Sequence, residues 1–367
     1  MSRSVFIVLL FAVSLGLTSC SKGEYAEELP ALMTLKINVG VSGVWPKTRA
    51  DYSEAENDDE KMHNLRIMII RPSGIVEKTA YIDLETAPVT ERVCEFPDVL
   101  SGESKRIFLI ANEHTQKTEE NGTVESVVSY DFSKIRAGDL FPINDISDIT
   151  VQLNGKTEQL PGPLPMSDMH QVDVPFFSGD GEEHEVTVQE PLTIRRCAVK
   201  FTYYVTNESD KDLQVVGLEM EKMARCAYFL PREFENEYFV PSVNGSDNYY
   251  SFSHTFLSPV QVSAHAEEIN LLEQAGEKPI YLLEGKYEDK TPDTEMLNYK
   301  MALELKCDEF GSDSWKTTFE YFPDLPEYLR RNTHVVVHAT IQANLEIRCE
   351  VHVHPYIGVP LDPDFGL

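Results

Sequence analysis

Short runs of alternating apolar and polar residues dominate the chain, the pattern of strands with one buried face. Met33 to Val41 (MTLKINVGV), Leu65 to Ile70, Ser104 to Ala111 (SKRIFLIA) and Glu185 to Gln189 belong to this class, as do Ala198 to Thr206 (AVKFTYYVT) and Leu213 to Glu219. Thr333 to Gln342 (THVVVHATIQ) and Glu346 to Val353 (EIRCEVHV) close the series. Turn clusters separate them, among them Pro72-Ser73-Gly74, Asn121-Gly122, Asn154-Gly155 and Asn244-Gly245. Amphipathic helices are scarce: Glu267 to Gln274 and a turn near Ser133 to Arg136 are the best candidates, and neither could carry an α/β architecture. Gly162 to Val174, with Pro163 and Pro165, predicts an irregular connection. The acidic stretch Gly179 to Glu185 precedes a new strand series, so a domain boundary is expected near residue 185. The pattern predicts an all-β protein of two consecutive sandwiches, each of ordinary domain size in a chain of 367 residues.

The N-terminus departs from this pattern. Arg3 supplies a positive start and Val5 to Leu17 an uncharged apolar run. A bilayer-spanning helix needs roughly 20 apolar residues, so the shorter run predicts a signal peptide over residues 1–19. Leu17-Thr18-Ser19-Cys20 matches a lipobox, with cleavage between Ser19 and Cys20 and lipidation of the Cys20 thiol. Each buried methylene contributes about 0.8 kcal/mol, so two or three acyl chains anchor stably. Ser21-Lys22-Gly23-Glu24 lacks the aspartate that retains lipoproteins at an inner membrane, which points to the outer membrane and the cell surface.

Loss of residues 1–19 removes Arg3, and the formal net charge of −29 becomes −30. So acidic a surface repels phosphate backbones and argues against nucleic acid as a partner. Beyond Cys20 stand Cys94, Cys197, Cys226, Cys307 and Cys349, an odd number without close pairs, which fits neither a zinc cluster nor a dense disulfide framework. Cys197 and Cys349 lie in apolar strand patterns and are expected as core thiols.

After the first strand comes Trp45-Pro46-Lys47-Thr48-Arg49-Ala50, then an acidic run through Glu60. An extended basic site followed by polar chain suits an arginine-specific protease, with Arg49 the scissile residue and Ala50 the new N-terminus. The cut would separate the lipid anchor and the first strand (20–49) from the rest. If that strand belongs to the first sandwich, its loss opens an apolar groove along a sheet edge, which accepts a strand from another chain.

Several segments in fixed order carry a family resemblance: the lipobox, the early strand followed by Thr48-Arg49-Ala50, Pro163 to Ser167, Leu192 to Val205 (LTIRRCAVKFTYYV), Ile280 to Glu284, and Arg331-Asn332-Thr333. Together they resemble the fimbrillins of type V (Bacteroidia-type) pili over nearly the whole mature chain. The resemblance implies two transthyretin-like (Greek-key) β-sandwiches, 50–185 and 186–367, in an outer-membrane lipoprotein precursor. It further implies removal of the first strand by an arginine-specific protease and polymerisation with other fimbrial subunits by strand exchange. Cys20 matches the lipidated cysteine and Arg49 the processing arginine. The C-terminal side departs from the stalk pattern: Ile357 to Leu367 reach about 36–40 Å extended and include Pro360 and Pro363, which cannot donate ladder hydrogen bonds. Stalk, tip, accessory and anchor roles therefore remain open.

No enzymatic constellation emerges, and no cofactor is implied. There is no Gly-x-Ser-x-Gly elbow, phosphate-cradling glycine loop or His-Glu-x-x-His. If a turn centres near Asn344, His334 faces His354 with His352 on the same face, and His338 completes a set of imidazoles able to bind zinc or copper; solvent-facing strand histidines are the commoner explanation. Asn57-Asp58-Asp59-Glu60 and Ser246-Asp247-Asn248 lack calcium-loop spacing and are expected as solvated loops. Trp45, Trp315, Tyr249, Tyr250 and Tyr281 offer an alternative function, a lipid-anchored glycan-binding protein with an aromatic stacking platform, although packing is the usual role of sandwich aromatics.

Overall fold

The computed structural model describes residues 29–42, 57–118, 122–153, 158–179, 182–232, 249–286, 300–306, 316–321 and 328–355. The first strands in chain order are β1 (Leu32–Val41), β2 (Asn64–Ile70), β3 (Val76–Asp83), β4 (Glu91–Leu100), β5 (Ser104–Ala111), β6 (Gln116–Thr118), β7 (Val124–Ser126), β8 (Thr150–Gln152), β9 (Met166–Asp173), β10 (His184–Thr187) and β11 (Leu192–Arg196). The remainder are β12 (Val199–Asn207), β13 (Leu213–Ala224), β14 (Cys226–Tyr228), β15 (Tyr249–Val262), β16 (Ile269–Asn270), β17 (Ile280–Leu282), β18 (Gly285–Lys286), β19 (Lys300–Lys306), β20 (Lys316–Tyr321), β21 (Tyr328–Leu329), β22 (Thr333–Ile341) and β23 (Ile347–Pro355). Two short helices, α1 (Ile143–Ser147) and α2 (Leu271–Ala275), accompany them. The chain is thus nearly all β, as its alternation predicts. No described helix is long and apolar enough to cross a membrane.

The largest sheet runs β10-β1-β11-β9-β5-β2-β3, with β4 on the other side of β1. Leu35, Ile37 and Val39 of β1 share one core with Ile67 and Ile69 of β2 and Ile107 and Leu109 of β5. Met68, Ile70, Phe108 and Ile110 point the opposite way, into a second core. Burial of both faces explains why Leu65 to Ile70 is nearly continuous in apolar residues. The second core also takes in the inward faces of β12, β13 and β22, through Phe201, Tyr203, Val215 and Val337 among others. Two further sheets frame it: β16-β12-β22-β23, with β17 also on β12, and β15-β13-β19-β20. Only Cys197 and Ala198 separate β11 in the first sheet from β12 in the second. β8 pairs with β14, a further link between the two strand series.

Two elements differ from the sequence expectation. Gly162 to Val174 is an irregular connection only as far as Pro165, because β9 follows and pairs with β5 from Ser104↔Asp173 to Ala111↔Met166. Its pattern is obscured because only Met166, Ser167 and Asp168 are buried, the rest alternating between exposed and half-buried. The helix expected over Glu267 to Gln274 is shorter: Asn270 caps α2 by accepting from the Glu273 amide, and Gly276, at φ 71°, ends it in the left-handed region.

Candidate functional site

The alternation of β1 places Met33, Leu35, Ile37, Val39 and Val41 inward, all of them buried. Burying one such side chain contributes about 1.5–3 kcal/mol, and five together about 7–15 kcal/mol. A typical domain is stable by about 5–15 kcal/mol. The place that β1 occupies therefore cannot stand empty without endangering the fold.

This strand is not at a sheet edge. It lies antiparallel to β4 from Leu32↔Leu100 to Gly40↔Glu91. Its other side runs parallel to two strands in succession, β10 from Met33↔His184 to Lys36↔Thr187 and β11 from Val39↔Leu192 to Val41↔Ile194. At its end the Val41 amide donates to Thr90 O and the Ser42 amide to Ile194 O, both at 2.8 Å. Near its start the β4 ladder shifts register between Met33 and Leu35, and Asp98 of β4 takes φ 56°. On the outer face Lys36 spans the sheet to Glu95 at 3.2 Å and Glu185 at 3.0 Å, and its pKa is raised chiefly by the Glu185 hydrogen bond. Such half-exposed pairs contribute little stability, but they mark the register. Asn38 Oδ1 is buried with no donor in reach among the described residues.

The C-terminal end of this place is built by consecutive arginines on opposite faces of β11. Arg195 makes a two-pronged contact with Asp168 at 2.6 and 2.8 Å, which raises its pKa. Arg196 turns inward and is 2% exposed. Its Nη1 donates to Ser42 O at 3.1 Å and to Asn332 Oδ1 at 3.2 Å, and its Nε donates to Glu60 O at 3.1 Å. Glu60 is therefore not part of a solvated loop: it is buried in a 3-10 turn (Asp58–Glu60), pairs with Lys200 at 2.9 Å and accepts from Tyr281 Oη at 2.6 Å. The signal for this cluster was the Arg195-Arg196 pair at the end of an alternating strand, since adjacent strand residues face opposite sides and one cation must point in.

The histidine register agrees with the sequence reading. A turn at Asn344 joins β22 to β23, and His334 stands opposite His354. The ring centroids of His338 and His352 are 5.3 Å apart, and those of His352 and His354 are 6.3 Å apart. Yet His334 is not solvent-facing: it is 6% exposed and hydrogen-bonded to Thr202 at 2.9 Å, and burial pushes its imidazole down to about 3. His338 Nδ1 is turned to the Glu268 carboxylate. Among the described residues no group of three or more His, Cys, Asp or Glu is disposed to hold a metal. Cys94, Cys197, Cys226 and Cys349 are buried thiols. Tyr250 and Tyr281 are buried at 6% and 4% exposure, unsuited to an open stacking platform. Ser19, Cys20, Trp45, Arg49, Ala50, Cys307 and Trp315 lie outside the described residues.

No protein-family model matches the sequence, and no curated protein matches it. Solved structures do resemble it. A candidate cell adhesion protein from Parabacteroides distasonis superposes with a TM-score of 0.53 at 12% identity, covering 88% of this chain and 97% of that one. One from Bacteroides eggerthii gives 0.50 at 11% identity, with 89% and 97% covered. A fimbrilin from Porphyromonas gingivalis gives 0.50 at 14% identity, with 89% and 99% covered. The fimbrillin resemblance drawn from the sequence is thus matched at the level of fold, nearly end to end.

Proposed function

We propose that the protein is an adhesive fimbrial subunit, exported as a lipoprotein precursor and assembled by strand exchange. In this reading Cys20 carries the lipid that brings the precursor to the outer membrane, and segment 20–49 serves as anchor and resident strand. An arginine-specific protease cuts between Arg49 and Ala50, and two transthyretin-like sandwiches form the subunit proper. The role is structural, with no catalysis. The observation that carries the reading is the position of β1. It precedes the Arg49 site by a few residues, fills the first core, and is paired along both sides although sequence-remote strands flank it. Such a strand can be replaced by another of the same pattern from a neighbouring subunit. The sequence offers one: Ile357, Val359, Leu361, Pro363, Phe365 and Leu367 are apolar at every second position.

The test is Arg49→Ala in cells that assemble the protein. The variant should persist as full-length acylated lipoprotein and be absent from sheared surface fibres, while wild-type fibres carry an N-terminus at Ala50. Normal fibre incorporation of Arg49→Ala would overturn the maturation mechanism.

A further inference from the structure

Alternation and ladder hydrogen bonds repeat every two residues, so a strand displaced by two residues keeps its inward face and most of its pairing. These features alone cannot fix where a strand stops in the β1 place. Non-repeating features must do so, and the structure has one at each end. At the start, the register shift opposite Thr34 and the positive φ of Asp98 interrupt the β4 ladder. At the finish, the Arg196 guanidinium meets the Ser42 carbonyl.

We infer that Arg196 is the specificity-determining residue that reads the end of the strand seated in this place. It selects a segment whose five inward apolar residues are followed by one more residue with a backbone carbonyl free to accept. The inference rests on the strand-exchange reading above. Arg196 is 2% exposed, its Nε is held by the Glu60 carbonyl, and Nη1 is also held by Asn332 at the start of β22. The group is therefore fixed from two sides and cannot reach back to a strand that ends one residue early. A strand that stops short leaves a buried cation with one acceptor fewer, and hydrogen bonds to charged groups are among the stronger ones. Arg196 also joins the strand end to both strand series, through β11 and Asn332, so correct seating is registered at the junction of the two sheets.

The test uses the full chain nicked after Arg49, in which β1 is held by non-covalent contacts alone. Two labelled, C-terminally amidated peptides compete for its place: Leu32 to Ser42, and Leu32 to Val41. In the shorter peptide the terminal amide still supplies the N–H that Ser42 donates to Ile194, so the Ser42 carbonyl is the backbone group it lacks. The longer peptide should bind at least about tenfold more tightly, and Arg196→Met should abolish the preference while still taking up both peptides. Should Arg196→Met fail to fold, the comparison on the wild-type chain decides by itself. Equal affinity of the two peptides for the wild type, or an undiminished preference in Arg196→Met, overturns the role of Arg196 and leaves strand exchange standing. Failure of both peptides to enter the nicked wild type overturns strand exchange and the inference with it.

Discussion

The Ser42 amide donates to the Ile194 carbonyl at 2.8 Å, so the chain is still stitched to β11 as it leaves β1 toward Arg49. Proteolysis after Arg49 breaks no contact of β1 itself. The released segment should therefore stay with the body of the protein: after nicking, it co-elutes on native size exclusion and separates only in denaturant or against a competing strand. Spontaneous loss on nicking would contradict the packing described.

Ile37 is fully buried at the middle of β1. Truncation there removes apolar contacts on a strand that cannot readily collapse into the gap, and Ile37→Ala should cost about 2–5 kcal/mol in equilibrium denaturation of the uncut chain. A cost below 1 kcal/mol, about the size of a surface substitution, would show that β1 is not an integral part of the first core.

Asn38 acts in the other direction. A buried amide oxygen without a donor costs about 1–3 kcal/mol, and valine suits a strand better. Asn38→Val should stabilise the uncut protein by about 1 kcal/mol and slow peptide exchange in the nicked form. Both are read from denaturation and from the exchange rate; faster exchange would refute the assignment.

His334 makes the stability pH-dependent. Burial, with Lys200 and His354 nearby, holds its folded pKa at about 3, below the ordinary value of about 6.5. Between these values the unfolded chain binds the extra proton, so this contribution is complete above about pH 6.5 and lost progressively down to about pH 3. His354 is shifted the same way, chiefly by burial. His334→Gln should flatten the pH dependence of unfolding free energy in that window by as much as about 1.4 kcal/mol per pH unit. An unchanged slope would show that His334 titrates normally.

Much of the fold was legible because alternation is a local signal. Ser104 to Ala111 coincides with β5, and Met33 to Val41 lies within β1. β9 escaped because a strand whose far half is half-exposed carries polar residues on both faces. Glu60 escaped for a different reason: its surroundings in sequence are acidic and polar, while its partners Lys200 and Tyr281 are far along the chain. The strand to be exchanged could be proposed from Arg49 and the run before it. That β1 would be clasped by β4 on one side and by β10 and β11 on the other could not, since pairing partners are set by topology.

That clasp has a mechanical consequence. Ladder bonds lie across the strands they join, and β1 carries a ladder along each side. Tension along its axis loads both rows at once, in shear, whereas an edge strand pulled the same way would be held by one row alone. A subunit held in a fibre by a strand in this position is attached where the sheet best resists pulling.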